Sequence, residues 1–288
     1  MKRVFLGTGL IGGGLAQAAA QRGDEVVVWN RTRSKAEALT EFGAEVAADA
    51  PTAVAGVRHV HLALTSDAAV DAVLESIMDA LEEDAVVIDH STTSPGGTLA
   101  RAEKMAAAGK RYLHVPVFMS PEACKAAKGI MLVAGPEPLY QEQLSAIEPM
   151  TGRVRWCGEK KDAAATLKLV GNCMLLAMVG GLADAFAIAS SNGLGSEDVM
   201  GLFADWNPGY MLQGRGARMA EGDFETLWTL TMARKDLGLM KDTAGDDAGL
   251  AVLPGLGARM DGMIAEGEGE RDVAVLARDS LNAGKTGK

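Results

Sequence analysis

A glycine-rich turn near the start of the chain constrains its fold more than any other feature. Gly7-Thr8-Gly9-Leu10-Ile11-Gly12 fits the pattern GxGxxG. The β-branched run Lys2–Leu6 precedes it, an alanine-rich helical stretch follows it, and a second strand pattern comes at Glu25–Trp29. In such a strand-turn-helix unit Gly7 permits the tight turn. Gly9 lets a pyrophosphate approach the backbone, and Gly12 allows close helix-strand packing. The helix start then offers free N–H groups and a positive dipole end to a phosphate. The turn with its flanks therefore predicts a dinucleotide site; a merely flexible turn is the plain alternative.

The same alternation continues. His59–Leu64, Ala85–Asp89, Tyr112–Val117 and Ile130–Val133 read as strands, and Ser34–Phe42, Asp67–Leu81 and Pro95–Ala108 as helices. A shorter strand, Arg153–Cys157, closes this part. Apolar strands alternating with helices predict an α/β, doubly wound parallel sheet, a Rossmann-type domain over residues 1–161. From residue 162 to 288 only helical patterns follow: Ala163–Ser191, Ser196–Ala204, Gly209–Ala220, Thr226–Asp242, Val252–Glu266 and Arg271–Asn282. An all-α second domain, entered through a long helix, is expected. Met174, Met178, Met200, Met219, Met232 and Met240 read as core filler.

Composition narrows the function. The chain has 288 residues, with 28 Lys+Arg against 38 Asp+Glu. That acidic balance argues against a nucleic-acid partner. The three cysteines form no CxxC, the histidines form no metal-ligand pattern, and no metal is expected. His59 and His61 read as a plain pair on one strand face. The uncharged run after Met1-Lys2-Arg3 imitates a signal peptide, but its five glycines make a poor apolar helix. The run Leu169–Ala183, between Lys168 and Asp184, falls short of the roughly 20 residues of a membrane span. A soluble cytoplasmic protein is expected.

The end of the second strand bears on the cofactor. An acid there usually holds the ribose hydroxyls of NAD. Here it reads Asn30-Arg31-Thr32-Arg33. Asn30 removes a charge that would repel a 2′-phosphate, and Arg31 offers a guanidinium fork to one. Thr32 adds a hydroxyl and Lys35 a second contact, while Arg33 reads as a solvated helix-start charge. This pattern points to NADP(H). Further on, Asp89-His90-Ser91-Thr92-Thr93-Ser94-Pro95 ends a strand and opens a helix, where open sheets bind ligands. Lys168 and Asn172 share one face of the long helix. From pattern alone Lys168 either snorkels to a surface or serves a pocket.

In this order the segments resemble the β-hydroxyacid dehydrogenase family, relatives of 3-hydroxyisobutyrate dehydrogenase and of glyoxylate/succinic semialdehyde reductases. The resemblance implies a Rossmann domain, a helical domain, an active site between them, and a homodimer or homotetramer. Gly7, Gly9, Leu10, Ile11 and Gly12 match the pyrophosphate loop. Asn30, Arg31 and Thr32 match the NADP-preferring version. Leu64 and Thr65 match the backbone that meets the cofactor, and Ser91-Thr92 a Ser-Thr pair that faces substrate and nicotinamide. Lys168 matches the catalytic lysine and Asn172 its partner. Lys235 matches a lysine reaching cofactor and substrate.

One segment departs from the family. Phe118-Met119-Ser120 stands where a small Ser-Gly pair usually cradles a carboxylate. The change points to a bulkier or more apolar carbonyl compound, with Ser120 as one polar contact. An imine reductase resembles the chain closely too, through Val28-Trp29-Asn30-Arg31-Thr32, although those enzymes usually replace the lysine. A 6-phosphogluconate dehydrogenase would carry a longer helical domain. A non-catalytic NADP-binding protein is the rival of a different class.

Overall fold

The computed structural model describes residues 1–283. It forms two compact units, Met1–Asn172 and Cys173–Lys288. The first is built on six parallel strands: β1 Lys2–Leu6, β2 Glu25–Trp29, β3 Glu45–Val46, β4 His59–Leu62, β5 Val86–Asp89 and β6 Arg111–His114. Their spatial order is β3-β2-β1-β4-β5-β6, a doubly wound Rossmann arrangement. Side chains alternate across it because successive Cβ atoms point to opposite faces. Val4, Leu6, Val27, Val60 and Leu62 enter one core, and Phe5, Val26, Val28, Val86 and Ile88 the other. Both faces are thus buried, which is why these strands read as nearly continuous apolar runs.

The helices of this unit are α1 Leu10–Gln21, α2 Arg33–Glu37, α3 Ala50–Val54, α4 Asp67–Ile77, α5 Pro95–Ala107, α6 Pro121–Lys125 and α7 Glu137–Ile147. Serines cap three of them. Ser66, Ser94 and Ser120 accept the N–H groups of Ala69, Gly97 and Ala123.

The expected strand Tyr112–Val117 is two pieces. Pro116 has no N–H to give a ladder, so β6 stops at His114 and β7 covers Val117–Phe118. β7 runs antiparallel to β8 (Ile130–Val133), which pairs in parallel with β9 (Arg153–Trp156). The last strands therefore form a separate three-stranded sheet instead of extending the first. β3, with two residues, was too short to show a period.

α8, Ala163–Ser190, is one 28-residue helix. The division between units falls inside it, after Asn172, and not at residue 161. Lys168 therefore belongs with the Rossmann unit. As a continuous helix, α8 is long and apolar enough to cross a membrane by length and composition. The uncharged run alone had fallen short of that.

The second unit follows with α9 Ser196–Asp205, α10 Arg215–Glu221, α11 Leu230–Ala244, α12 Leu253–Met263 and α13 Arg278–Ala283. Its core gathers Phe224, Leu230, Leu237, Met260 and Met263. The expected helix Gly209–Ala220 breaks before Gly214 into a 3-10 turn and α10. The methionine expectation needs correction. Met174, Met178, Met200, Met232 and Met240 are exposed, and only Met219 packs on the core. Asp184, 3% exposed, accepts the N–H groups of Ala251, Val252 and Leu253 and so caps the start of α12.

Candidate active site

Two cavities in the Rossmann unit meet at the glycine-rich turn. One of about 570 Å³ is lined by Gly7, Gly9, Asn30, Arg31, Thr32, Lys35, Leu64 and Thr65, among others. The second, of about 330 Å³, is lined by Gly9, Leu10, Ile11, Gly12, Leu64, Thr65, His90, Ser91, Thr92, Val117, Met119 and Lys168, with Ala63. Gly9, Ala63, Leu64 and Thr65 border both, so the two make one trough.

The turn is built for close approach. Gly7 has φ +96°, and a Cβ on it would lie 2.4 Å from the Ala63 carbonyl oxygen. A Cβ on Gly12 would lie 2.0 Å from the Gly7 oxygen, whereas Gly9 faces open space. That combination of two closed sides and one open side fits a pyrophosphate on the backbone.

Asn30 fastens this turn to the end of β2. Its Oδ1 accepts the Thr8 N–H at 3.1 Å, and its Nδ2 donates to the Thr32 carbonyl at 2.9 Å. Sequence reading had seen only a missing acid. Arg33 pairs with Glu37, while Arg31 and Lys35 line the cavity with no ion-pair partner among the described residues.

The loop after β5 is held from beneath by buried polar groups. Asp89 accepts the Ser91 N–H at 2.9 Å and the Tyr112 hydroxyl at 2.8 Å. The Ser91 hydroxyl accepts the Leu64 N–H, and its carbonyl accepts from His114 Nε2. Ser91 is thus engaged in shaping the loop, while Thr92 beside it is exposed. Behind them lies a chain of rings. His90 Nδ1 faces the Val115 carbonyl at 2.8 Å and must donate to it. His90 Nε2 then accepts from His61 Nδ1 at 3.0 Å, and His61 Nε2 from Arg3 at 3.3 Å. Burial drives the His90 pKa down to about 4 and that of His61 well below its usual value. Both rings are therefore neutral at ordinary pH. None of this support was visible beforehand; the signal was a polar residue on each of three apolar strands.

Lys168 is 9% exposed and lines the second cavity. Burial lowers its pKa from the ordinary lysine value. Its ammonium lies 4.1 Å from the centre of the Phe118 ring. Among the other expected site residues, Met119 lines the cavity. Phe118, Ser120 and Asn172 do not. The Ser120 hydroxyl caps α6, and Asn172, half-buried, lies one turn beyond Lys168. Lys235 lies on α11 in the second unit, paired with Asp236 at 2.8 Å. Among the described residues, no cluster of three or more His, Cys, Asp or Glu gathers to hold a metal ion.

A strand-turn-helix phosphate cradle at the carboxyl ends of a parallel sheet defines a dinucleotide-binding domain of the Rossmann class. Residues 3–158 match the model for the NAD binding domain of 6-phosphogluconate dehydrogenase. Taken with the relatives below, that match places the chain in the β-hydroxyacid dehydrogenase-like family of NAD(P)-binding oxidoreductases. Glyoxylate/succinic semialdehyde reductase 1 of Arabidopsis thaliana is 29% identical over 242 residues, covering 82% of each chain. The uncharacterized oxidoreductase YfjR of Bacillus subtilis (strain 168) is 27% identical over 288 residues, covering 96% of this chain and 99% of its own. The imine reductase of Myxococcus stipitatus in complex with NADP+ shares the fold. Its TM-score is 0.88 at 20% identity, covering 96% of this chain and 99% of that one.

Proposed function

We propose that the protein is an NADP(H)-dependent reductase of a carbonyl/alcohol pair, with Lys168 as general acid and base. The observation that carries this reading is a buried lysine, with no carboxylate partner among the described residues, lining a cavity continuous with the phosphate cradle. Gly7, Gly9 and Gly12 hold the pyrophosphate, and Arg31, Thr32 and Lys35 the 2′-phosphate. Thr65 and Thr92 flank the nicotinamide end. When bound, the reduced nicotinamide supplies a hydride to the carbonyl carbon. Lys168 Nζ hydrogen-bonds the carbonyl oxygen and gives it a proton as the C=O electron pair moves onto oxygen. The amine left behind takes a proton from water. In oxidation the neutral amine removes the alcohol proton, which burial favours by lowering the lysine pKa. Asn172 orients the lysine or a substrate oxygen.

A second reading is an imine reductase, supported by the apolar Val117 and Met119 on the cavity wall. The relatives' names suggest the test compounds. NADPH consumption is followed over glyoxylate, succinic semialdehyde, bulkier neutral aldehydes and a cyclic imine, with NADH in parallel. Carbonyl turnover is expected, and Lys168→Met should lower kcat at least ~100-fold while NADPH still binds. Wild-type turnover by that variant would remove Lys168 from the mechanism. Turnover of the imine alone would favour the second reading. NADPH binding with no turnover would favour a non-catalytic NADP-binding protein.

We also infer a cytoplasmic homo-oligomer, a dimer or tetramer, with no membrane and no nucleic-acid partner. The exposed side chains of Val170, Leu175, Leu176, Met178 and Val179 on α8 support a helix that a second copy covers.

A further inference from the structure

β7 turns its neighbouring side chains to opposite sides. Val117 and Met119 line the Lys168 cavity, while Phe118 packs with Leu132, Ala134 and Ala164 beneath it. From there its ring meets α8 at two points. The Lys168 ammonium sits 4.1 Å from the ring centre. The ring edge rests against Gly171, where a Cβ would lie 2.2 Å from the ring Cζ and 2.6 Å from Cε1. Only glycine leaves room for the ring. No hydrogen bond or ion pair to the Lys168 ammonium exists among the described residues, so the ring is its single partner.

Among the described residues, no charged group is paired with the Lys168 ammonium. His90, on the cavity wall, stays neutral down to about 4. Cys157, in the cluster around the ring, has a thiol that burial pushes up. On α8's own approach, Asp162 is paired with Lys160 at 3.4 Å. A ring face attracts a cation but takes none of its protons. A carboxylate in that place would bind one N–H and tie the amine to its charged form. With an aromatic partner all three N–H groups stay free for a ligand.

We propose that Phe118, seated on Gly171, is a positioning residue for the reaction: its ring holds the Lys168 ammonium charged and directed into the cavity. This rests on the reading of Lys168 as proton donor.

The test needs a readout that packing alone would not move. Acetic anhydride labels only the neutral amine, so the pH dependence of Lys168 labelling, read by peptide mass, gives its pKa without any turnover. Phe118→Leu keeps the bulk and loses the ring face. Its labelling midpoint should fall by roughly one pH unit. On any compound that turns over, the alkaline limb of kcat should shift by the same amount, with KM for NADPH unchanged. Should the leucine variant fail to fold, Phe118→Met fills the space with a flexible unbranched side chain and likewise has no ring face. The same fall is expected from it. An unchanged midpoint in a folded variant overturns the proposal. Full activity in Lys168→Met would instead overturn the donor reading, while an inactive Lys168→Met with no shift in the leucine variant rejects Phe118 alone.

Discussion

Asn30 illustrates how one side chain answers two demands. Its carboxamide ties the phosphate turn to the end of β2 with one accepted and one donated hydrogen bond. An aspartate could make only the first and would add a charge beside Arg31. Nearby, Arg31 and Lys35 line the cavity without an ion-pair partner among the described residues. A charge-assisted hydrogen bond contributes roughly 1.5–3 kcal/mol. Arg31→Ala should therefore raise KM for NADPH roughly ten- to hundredfold and leave that for NADH unchanged. Steady-state kinetics with both cofactors decides; equal effects on both would mean that Arg31 does not read the 2′-phosphate. At this scale the sequence was legible where chemistry is local. Gly7 and Gly12 are needed for backbone contacts a few residues away, and the motif shows it. The partner of Lys168 was not legible, because Phe118 is fifty residues distant and reaches the lysine only after β7 pairs with β8.

Among the elements, α8 carries the most. Its first turns bring Lys168 and Gly171 to the Rossmann unit, and further along Asp184 caps α12 within the second unit. Burial opposes ionisation of Asp184, but the N–H groups of Leu253, Ala251 and Val252 outweigh it and hold the carboxyl below its usual value. Between those anchors the helix shows solvent a row of apolar side chains. If the proposed homo-oligomer forms through this face, replacing both Leu176 and Val179 by glutamate should shift sedimentation to a monomer. An unchanged sedimentation profile would rule out this face as the contact. Period analysis found α8 nearly to the residue, since a long helix averages over many turns. It missed β3 and joined β6 and β7 into one strand, because a two-residue strand has no period and Pro116 acts through a missing N–H.

Over the whole Rossmann unit, the ring chain from Arg3 through His61 to His90 sets a pH dependence. Burial depresses both imidazoles. Below the unfolded value of 6.5 the unfolded chain binds protons that the folded chain refuses until about 4. Stability should thus be level above 6.5 and decline as pH falls toward 4. His90 alone contributes on the order of 3 kcal/mol to that decline. Urea unfolding at pH 5 and 7.5 measures it. His90→Gln should flatten the slope, and an unaltered slope would place the protons elsewhere.

The amino-acid order by itself determined the doubly wound sheet, the phosphate turn, the non-acidic end of β2 and the helical second half. Each is written in residues adjacent in the chain or spaced by one turn or one pleat, so local sterics and periodic burial suffice to read it. Tertiary structure alone decided the rest: the neutral histidine chain, the Asp89 support beneath Ser91, the exposed α8 methionines, and an aromatic partner for Lys168. Those features depend on which distant side chains meet in a desolvated space, and burial there fixes both the hydrogen-bond partner and the charge.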